Sequence, residues 1–170
     1  VSVDHMIGAY KPDLDGPNLF PEQVPQEYQR RFDLTLSLAE EFLQRCRAGS
    51  FGFTPIGIAQ GWSPGSYQTA VRRLMAMGYD YVALGGLVPL KTPDILDVLA
   101  AVRDVTQGKL RLHLFGITRL QNFEAFRSAG VVSLDSASPM RQAFKDARNN
   151  YYSAKGHYSA VRIPQADKYP

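Results

Sequence analysis

The sequence has 170 residues, of which 45% are hydrophobic and 21% are charged. This composition excludes a disordered chain and a collagen-like repeat, and the length suits one domain with a buried core. Nineteen Lys and Arg residues against sixteen Asp and Glu residues give a formal net charge of +3. That excess permits a polyanionic partner without requiring one.

Cysteine content and hydropathy narrow the class of protein further. The single cysteine, Cys46, excludes a disulfide framework and a multi-cysteine zinc site. No apolar run approaches the roughly 20 residues that cross a bilayer, and we expect no signal peptide. We therefore expect a cytoplasmic protein with no membrane partner. Because the first residue is Val1 rather than Met, we also expect the chain to be a piece of a longer protein.

The beginning of the chain predicts one strand and one long helix. Residues 1–6 are predicted to form a strand, and residues 25–48 an amphipathic helix with apolar side chains along one side. Residues 8–21 are rich in Pro, Gly and Asp, which predicts a surface loop between the two elements.

The middle of the chain alternates short apolar runs with amphipathic stretches. The runs cover residues 53–61, 79–87, 111–118 and 131–135. They show little polar alternation, which is typical of strands buried on both faces of a parallel sheet. Helices are predicted between and after these runs, the third of them over residues 120–129. Three helix starts are marked by a hydroxyl residue before proline as N-cap, and three helix ends by glycine. The predicted caps are Ser63, Thr92 and Ser138, and the predicted ends are Gly78, Gly108 and Gly130.

Five β-α units in succession predict an α/β protein, because successive parallel strands need crossover connections. A doubly wound sheet and part of a (β/α)8 barrel of the TIM type both fit this pattern, and a full barrel takes about 250 residues. No linker divides residues 1–148, which we predict to be one domain. Residues 149–170 are polar, tyrosine-rich and poorly periodic, which predicts a C-terminal extension.

Polar residues and glycines stand at the predicted strand ends, where α/β proteins place their chemistry. In chain order these are Asp4, Gln60, Gly85 with Gly86, Phe115 and Asp135. Such a set suits a planar heterocycle: the carboxylate and the amide bind its edge, the glycines let backbone approach, and the aromatic ring stacks on its face. Asp135 is then left for covalent or acid–base chemistry.

Each of these residues also has a purely structural explanation. In that case the two glycines form a tight turn, Gln60 ends a strand, Phe115 belongs to the core and Asp135 caps the next helix. His5 and His113 lack partners at ligand spacing, so we expect no metal site. The sequence has no glycine-rich phosphate-binding motif. Residue pattern alone therefore predicts an enzyme-like α/β domain and no particular reaction.

Four segments together resemble the tRNA-guanine transglycosylase family. Residues 57–61 (GIAQG) resemble its GIVQG segment, and residues 79–87 (YDYVALGGL) resemble its GFDGYAIGGL stretch. Residues 114–116 (LFG) are similar to its LMGVG segment, and residues 131–141 (VVSLDSASPMR) to IDMFDCVLPTR. The segments occur in the family's order and at its spacing, and the resemblance covers roughly residues 1–148.

The resemblance implies a (β/α)8 barrel that exchanges guanine in a nucleic acid for a 7-deazaguanine base, a pentosyl transfer that needs no cofactor. In it, Asp135 matches the nucleophilic aspartate. The implied base-binding residues are Asp4, Gln60, Gly85, Gly86 and Phe115, the last in place of a methionine. The tRNA enzymes have a cysteine where Ser136 stands, so the segment is more similar to the branch that modifies DNA than to the tRNA branch.

Two family features are missing from the sequence: a DSGGF motif with the general acid/base aspartate, and the cysteines of a structural zinc site. We expect either a fragment or a degenerate relative, and Val1 favours the fragment. The missing motif leaves open a non-catalytic nucleic-acid-binding subunit, a partner subunit or remainder that completes the barrel, and an unrelated barrel enzyme.

Basic residues follow the predicted nucleophile at helical spacing. Arg141, Lys145 and Arg148 are predicted to lie on one face of a helix, where they would contact phosphates. A solvated helix face with no partner is the alternative.

Overall fold

The computed structural model describes residues 1–15, 21–49, 51–145, 148–153 and 155–159. Helices and strands alternate through most of these ranges. The helices are α1 (Gln26–Ala48), α2 (Pro64–Met77), α3 (Thr92–Thr106), α4 (Phe123–Ser128) and α5 (Ser138–Lys145). The strands are β1 (Gly57–Ala59), β2 (Tyr81–Leu84), β3 (Arg111–Leu114), β4 (Val131–Leu134), β5 (Tyr151–Ser153) and β6 (Gly156–Tyr158). Short 3-10 turns cover Pro12–Asp15, Pro21–Gln23 and Leu120–Asn122.

The first four strands form one parallel sheet in the order β1-β2-β3-β4. Each strand therefore pairs with the next one along the chain, with a helix in every crossover. The predicted α/β fold is confirmed. The strictly sequential order is consistent with part of a (β/α)8 barrel, whereas a doubly wound sheet reverses its order at a switch point.

The core lies between the sheet and its helices. Val82, Leu84, Leu112 and Leu114 are fully buried and belong to one apolar cluster with the inward stripes of α2 and α3. Those stripes follow the helical period, as in Ala70, Val71 and Leu74 on α2 or Ile95, Val98, Leu99 and Val102 on α3. Burial of this face fixes which side of the sheet remains for polar groups.

β4 pairs with β3 through a one-residue bulge. Leu112 pairs with Val131, but the next residue, His113, pairs with Ser133, so that Val132 is the extra residue. A bulge of this kind re-aims the side chains that follow it. Here it turns Ser133 to the face of the sheet that carries His113.

The strand predicted for residues 1–6 is wrong. Ser2 N–H donates to Ile56 O at 2.9 Å, while the Ser2 hydroxyl oxygen accepts from Ile58 N–H at 3.0 Å. The β1 amide of Ile58 thus donates to a side chain, where in a sheet it would donate to the carbonyl of a neighbouring strand. Residues 1–6 therefore form no regular strand. The other predicted strands and helices are all present. Each of them either lies inside its predicted run or has bounds within two residues of it.

Only one of the three predicted N-caps is correct. Ser63 Oγ accepts from Ser66 N–H at 3.2 Å and donates to Asp15 Oδ1 at 2.5 Å, so it caps α2. Thr92 is the first residue of α3, and its hydroxyl accepts from Arg119 Nη1 at 2.9 Å instead. Ser138 likewise lies inside α5 rather than before it.

The C-terminal segment forms a small antiparallel hairpin of β5 and β6. The remainder of the predicted extension, residues 160–170, lies outside the described residues, and the division at residue 148 stays a prediction. Among the helices of the described ranges, none combines the length and apolarity needed to cross a membrane.

Ser63→Ala is expected to lower the free energy of unfolding by about 1 kcal/mol, because α2 loses its cap. Urea unfolding followed by circular dichroism measures the change. The matched control is Ser37→Ala on the exposed side of α1, with an expected change within about 0.5 kcal/mol. Equal effects of the two substitutions would contradict the capping role.

Candidate active site at the carboxyl edge of the sheet

Three backbone hydrogen bonds continue the sheet past its strand ends. Gly85 N–H donates to Ala59 O at 3.0 Å, Phe115 N–H to Leu84 O at 3.2 Å, and Asp135 N–H to Leu114 O at 3.3 Å. In each case the donor follows one strand and the acceptor ends its neighbour. The structure therefore brings these three predicted site residues to one edge of the sheet, as the predicted parallel order requires.

Gln60 is held in a tight cradle at this edge. Its side chain is buried, and Nε2 donates to Asp4 Oδ2 at 2.5 Å. A Cβ added to Gly85 would lie 2.3 Å from that Nε2 atom, so glycine is required for the close approach. Gly86 has φ +76°, and a Cβ there would lie 2.8 Å from Gln60 Oε1. The amide, the carboxylate and both glycines thus form one unit.

The other end of the Gln60 amide is unsatisfied. Gln60 Oε1 is buried and has no hydrogen-bond partner within the described part of the chain. A buried acceptor without a partner costs about 1–3 kcal/mol, so such groups are expected to meet a donor. A ligand N–H at this position would supply that donor.

Tyr67 on α2 is hydrogen-bonded to the glycine pair. Its hydroxyl donates to Gly85 O at 2.7 Å, and its side chain is fully buried. Burial raises the pKa of Tyr67, so the phenol stays neutral and keeps donating. The sequence analysis did not single out Tyr67 as a site residue. A tyrosine in an apolar helix stripe is expected to be buried, and a buried tyrosine needs a hydrogen-bond partner for its hydroxyl. That need is the feature of the sequence that could have indicated its role.

Asp135 is held at one carboxylate oxygen, while its side chain as a whole is largely exposed. Oδ1 accepts from Gly116 N–H at 2.8 Å and lies 3.5 Å from His113 Nε2. The side chain is 59% exposed. Among the hydrogen bonds of the described residues, none joins Asp135 to α5. The first amide of that helix, Ser138 N–H, donates to Ser136 Oγ at 3.0 Å instead. The arrangement does not support the alternative in which Asp135 caps the next helix.

His113 joins Asp135 to two further side chains that the sequence analysis missed. His113 Nδ1 lies 2.6 Å from Ser133 Oγ, and Ser133 Oγ lies 2.5 Å from the Tyr81 hydroxyl. Phe115 packs against the same imidazole edge-on, with ring centroids 4.7 Å apart. Phe115 is only half-buried, which leaves part of its ring accessible.

The basic residues are only partly grouped as predicted. Arg141 and Lys145 are exposed on α5 and, with Ser138 and Gln142, line a shallow depression of about 280 Å³. Arg148 lies beyond Lys145, where α5 ends, so the prediction that all three share this helix is wrong. In the described ranges, no group of three or more His, Cys, Asp and Glu side chains is arranged to hold a metal ion.

Comparison with known proteins bears on the family of the chain. No protein-family model matches the chain. A curated DNA-guanine transglycosylase from Salmonella montevideo is 43% identical over 171 residues, which cover all of this chain. The chain spans about 40% of the length of that relative.

The class that this similarity supports is the tRNA-guanine transglycosylase family. Within the family, it supports the DNA-modifying branch. The resemblance drawn from the four sequence segments is confirmed.

Gly85→Ala is expected to push the Gln60 side chain out of its cradle and break its hydrogen bond to Asp4. The Gln60 side-chain amide resonances in a ¹H–¹⁵N spectrum are the measurement, and they should shift towards solvent-exposed values. Gly52→Ala is the control, because a Cβ there meets nothing within 4 Å. Unchanged Gln60 resonances in Gly85→Ala would show that the cradle is not tight.

Proposed function

We propose that the protein carries the nucleophile and the base-binding edge of a transglycosylase that exchanges guanine in DNA for a 7-deazaguanine base. The observation that carries this proposal is the exposed carboxylate of Asp135, anchored through Oδ1, at the same sheet edge as the buried Gln60 amide. The similarity to a DNA-guanine transglycosylase supports the reaction class and the nucleic acid.

Base recognition is assigned to the cradle around Gln60. Guanine and 7-deazaguanine share a donor edge of ring and amino N–H groups, which suits the unpartnered Oε1 acceptor. Asp4 accepts from the amide nitrogen, which leaves Oε1 as the end of the amide without a partner among the described residues. Gly85 and Gly86 let the backbone approach the base, and Phe115 offers a ring face for stacking.

Asp135 is the proposed nucleophile. The target base must first leave the helical stack, because its glycosidic carbon is inaccessible within the duplex. A carboxylate oxygen of Asp135 then bonds to C1′ while the C1′–N bond breaks, and guanine leaves with the bonding electron pair and takes up a proton. The ring nitrogen of the incoming base attacks C1′ in turn, gives up its proton, and displaces the carboxylate. Two inversions retain the configuration at C1′.

The exposure of Asp135 fits this role. The side chain is 59% exposed, which leaves it accessible to a substrate, while Gly116 N–H keeps Oδ1 in place. The transition state has oxocarbenium character, so a nearby carboxylate stabilises the positive charge before it bonds to it.

Contacts to the DNA backbone are assigned to Arg141 and Lys145 on α5, with Arg148 beyond it. All three are exposed, and the helix begins three residues after Asp135. Phosphate contacts from such residues position a strand without selecting its sequence.

Asp135→Asn is expected to lower the rate of guanine exchange by at least about 10³-fold, because an amide cannot act as the covalent nucleophile. Incorporation of labelled guanine into duplex DNA measures exchange, and a denaturing gel measures the covalent DNA adduct. Asp104→Asn, an exposed carboxylate on α3, is the matched control.

Retained exchange or retained adduct in Asp135→Asn would exclude the nucleophile assignment. If the wild-type chain binds DNA but exchanges nothing, the non-catalytic subunit is the better description. Exchange into tRNA in place of DNA would transfer the proposal to the tRNA branch.

Replacement of Arg141 and Lys145 by Ala is expected to weaken DNA binding and to reduce the slope of log affinity against log salt by about 2. Fluorescence anisotropy at several salt concentrations measures the slope. Arg72 and Lys109, exposed on α2 and before β3, are replaced together as the charge-matched control. The same slope in both double variants would show that α5 does not contact phosphates.

A further inference from the structure

A row of three side chains lies behind Asp135. Tyr81, Ser133 and His113 come from β2, β4 and β3, and they are linked by contacts of 2.5 Å and 2.6 Å. The row ends where His113 Nε2 lies 3.5 Å from Asp135 Oδ1. His113 itself is largely buried, with 15% of its side chain exposed.

We infer that His113, in its neutral tautomer with hydrogen on Nε2, is a positioning residue for Asp135 and holds Oδ1 so that Oδ2 is the attacking oxygen. This inference rests on the proposed function, because it assigns a role within the same reaction. It adds a residue to the site and distinguishes the two carboxylate oxygens.

The carboxylate beside Nε2 selects this tautomer, because the two contacts of the row can run in either direction. With hydrogen on Nε2, the Tyr81 hydroxyl donates to Ser133 Oγ and the Ser133 hydroxyl donates to His113 Nδ1. The opposite tautomer would turn a nitrogen lone pair towards the carboxylate, which is repulsive. Neighbouring groups fix the tautomer of metal-binding histidines in the same way.

The two oxygens of Asp135 are therefore not equivalent. Oδ1 accepts from the Gly116 backbone N–H at 2.8 Å and lies 3.5 Å from His113 Nε2. Within the described ranges, no hydrogen bond or ion pair reaches Oδ2. Attack through Oδ2 leaves Oδ1 as the ester carbonyl, still beside the same two donors.

The donors on Oδ1 also affect how the covalent intermediate is resolved. They stabilise the full carboxylate charge more strongly than the neutral ester carbonyl. Loss of the His113 donor is therefore expected to shift the internal equilibrium towards the ester. At the same time the carboxylate becomes a poorer leaving group when the incoming base attacks, so that turnover falls.

Two substitutions of His113 separate the effect of its N–H donor from the effect of its ring shape. His113→Phe keeps a planar ring without N–H, and it is expected to lower kcat for exchange about tenfold, with little change in KM for DNA. The fraction of protein trapped as DNA adduct, at a fixed guanine concentration, is expected to rise several-fold. His113→Gln places an amide N–H near the position of Nε2 and is expected to restore both quantities towards wild type.

A spectroscopic measurement tests the inference without using activity. The imidazole ¹⁵N shifts, recorded near pH 8 where an ordinary histidine is about 97% neutral, are expected to show hydrogen on Nε2 of His113. Comparison with His113→Gln identifies its signals among the three histidines of the chain. Ser133→Ala removes the donor to Nδ1 and is expected to give a mixture of the two tautomers.

The outcomes distinguish the inference from the proposed function. A wild-type chain that exchanges no base overturns the proposed function, whatever the tautomer. Exchange with hydrogen on Nδ1 overturns the inference alone. So does a His113→Phe variant with wild-type kcat and adduct, or a His113→Gln variant as impaired as His113→Phe.

Discussion

The candidate site depends on the parallel pairing of four short strands beyond their formal ends. The carbonyls of Ala59, Leu84 and Leu114 end three strands, and each accepts from the residue that follows the neighbouring strand. Gly85, Phe115 and Asp135 are consequently positioned by the sheet, and the sheet is fixed in turn by burial of one face under α2 and α3. Functional groups held by such elements are placed more accurately than groups on independent loops.

The polar groups of the site surround a buried amide, Gln60, whose hydrogen bonds are only partly satisfied. Gln60 is buried with one end of its amide paired and the other without a partner among the described residues, and its side chain lies where a Cβ of Gly85 or Gly86 would be. Tyr67 fixes the same peptide from the helix side. A ligand that donates to the unpartnered oxygen would offset its cost, and under the proposed function that ligand is the donor edge of the base.

The sequence predicted what depends on local periodicity and on parallel topology. Apolar runs located all four sheet strands, and the strand ends correctly placed Gly85, Phe115 and Asp135 on one edge. The roles of Tyr81, His113 and Ser133 were missed, because their contact depends on register between strands, which no single segment encodes. The predicted strand at residues 1–6 failed for a related reason: the Ser2 side chain, a tertiary partner, replaces backbone pairing.

Because of the bulge at Val132, the number of residues in β4 matters as much as their type. Side chains alternate along a strand, so a single insertion or deletion between Gly130 and Asp135 that leaves the bulge in place exchanges the two faces for everything downstream. Removal of the extra residue itself is the exception, because Ser133 then pairs with His113 as before. A change of length in this segment that keeps the carboxylate next to Phe115 must therefore be of two residues, or of one residue lost together with the bulge.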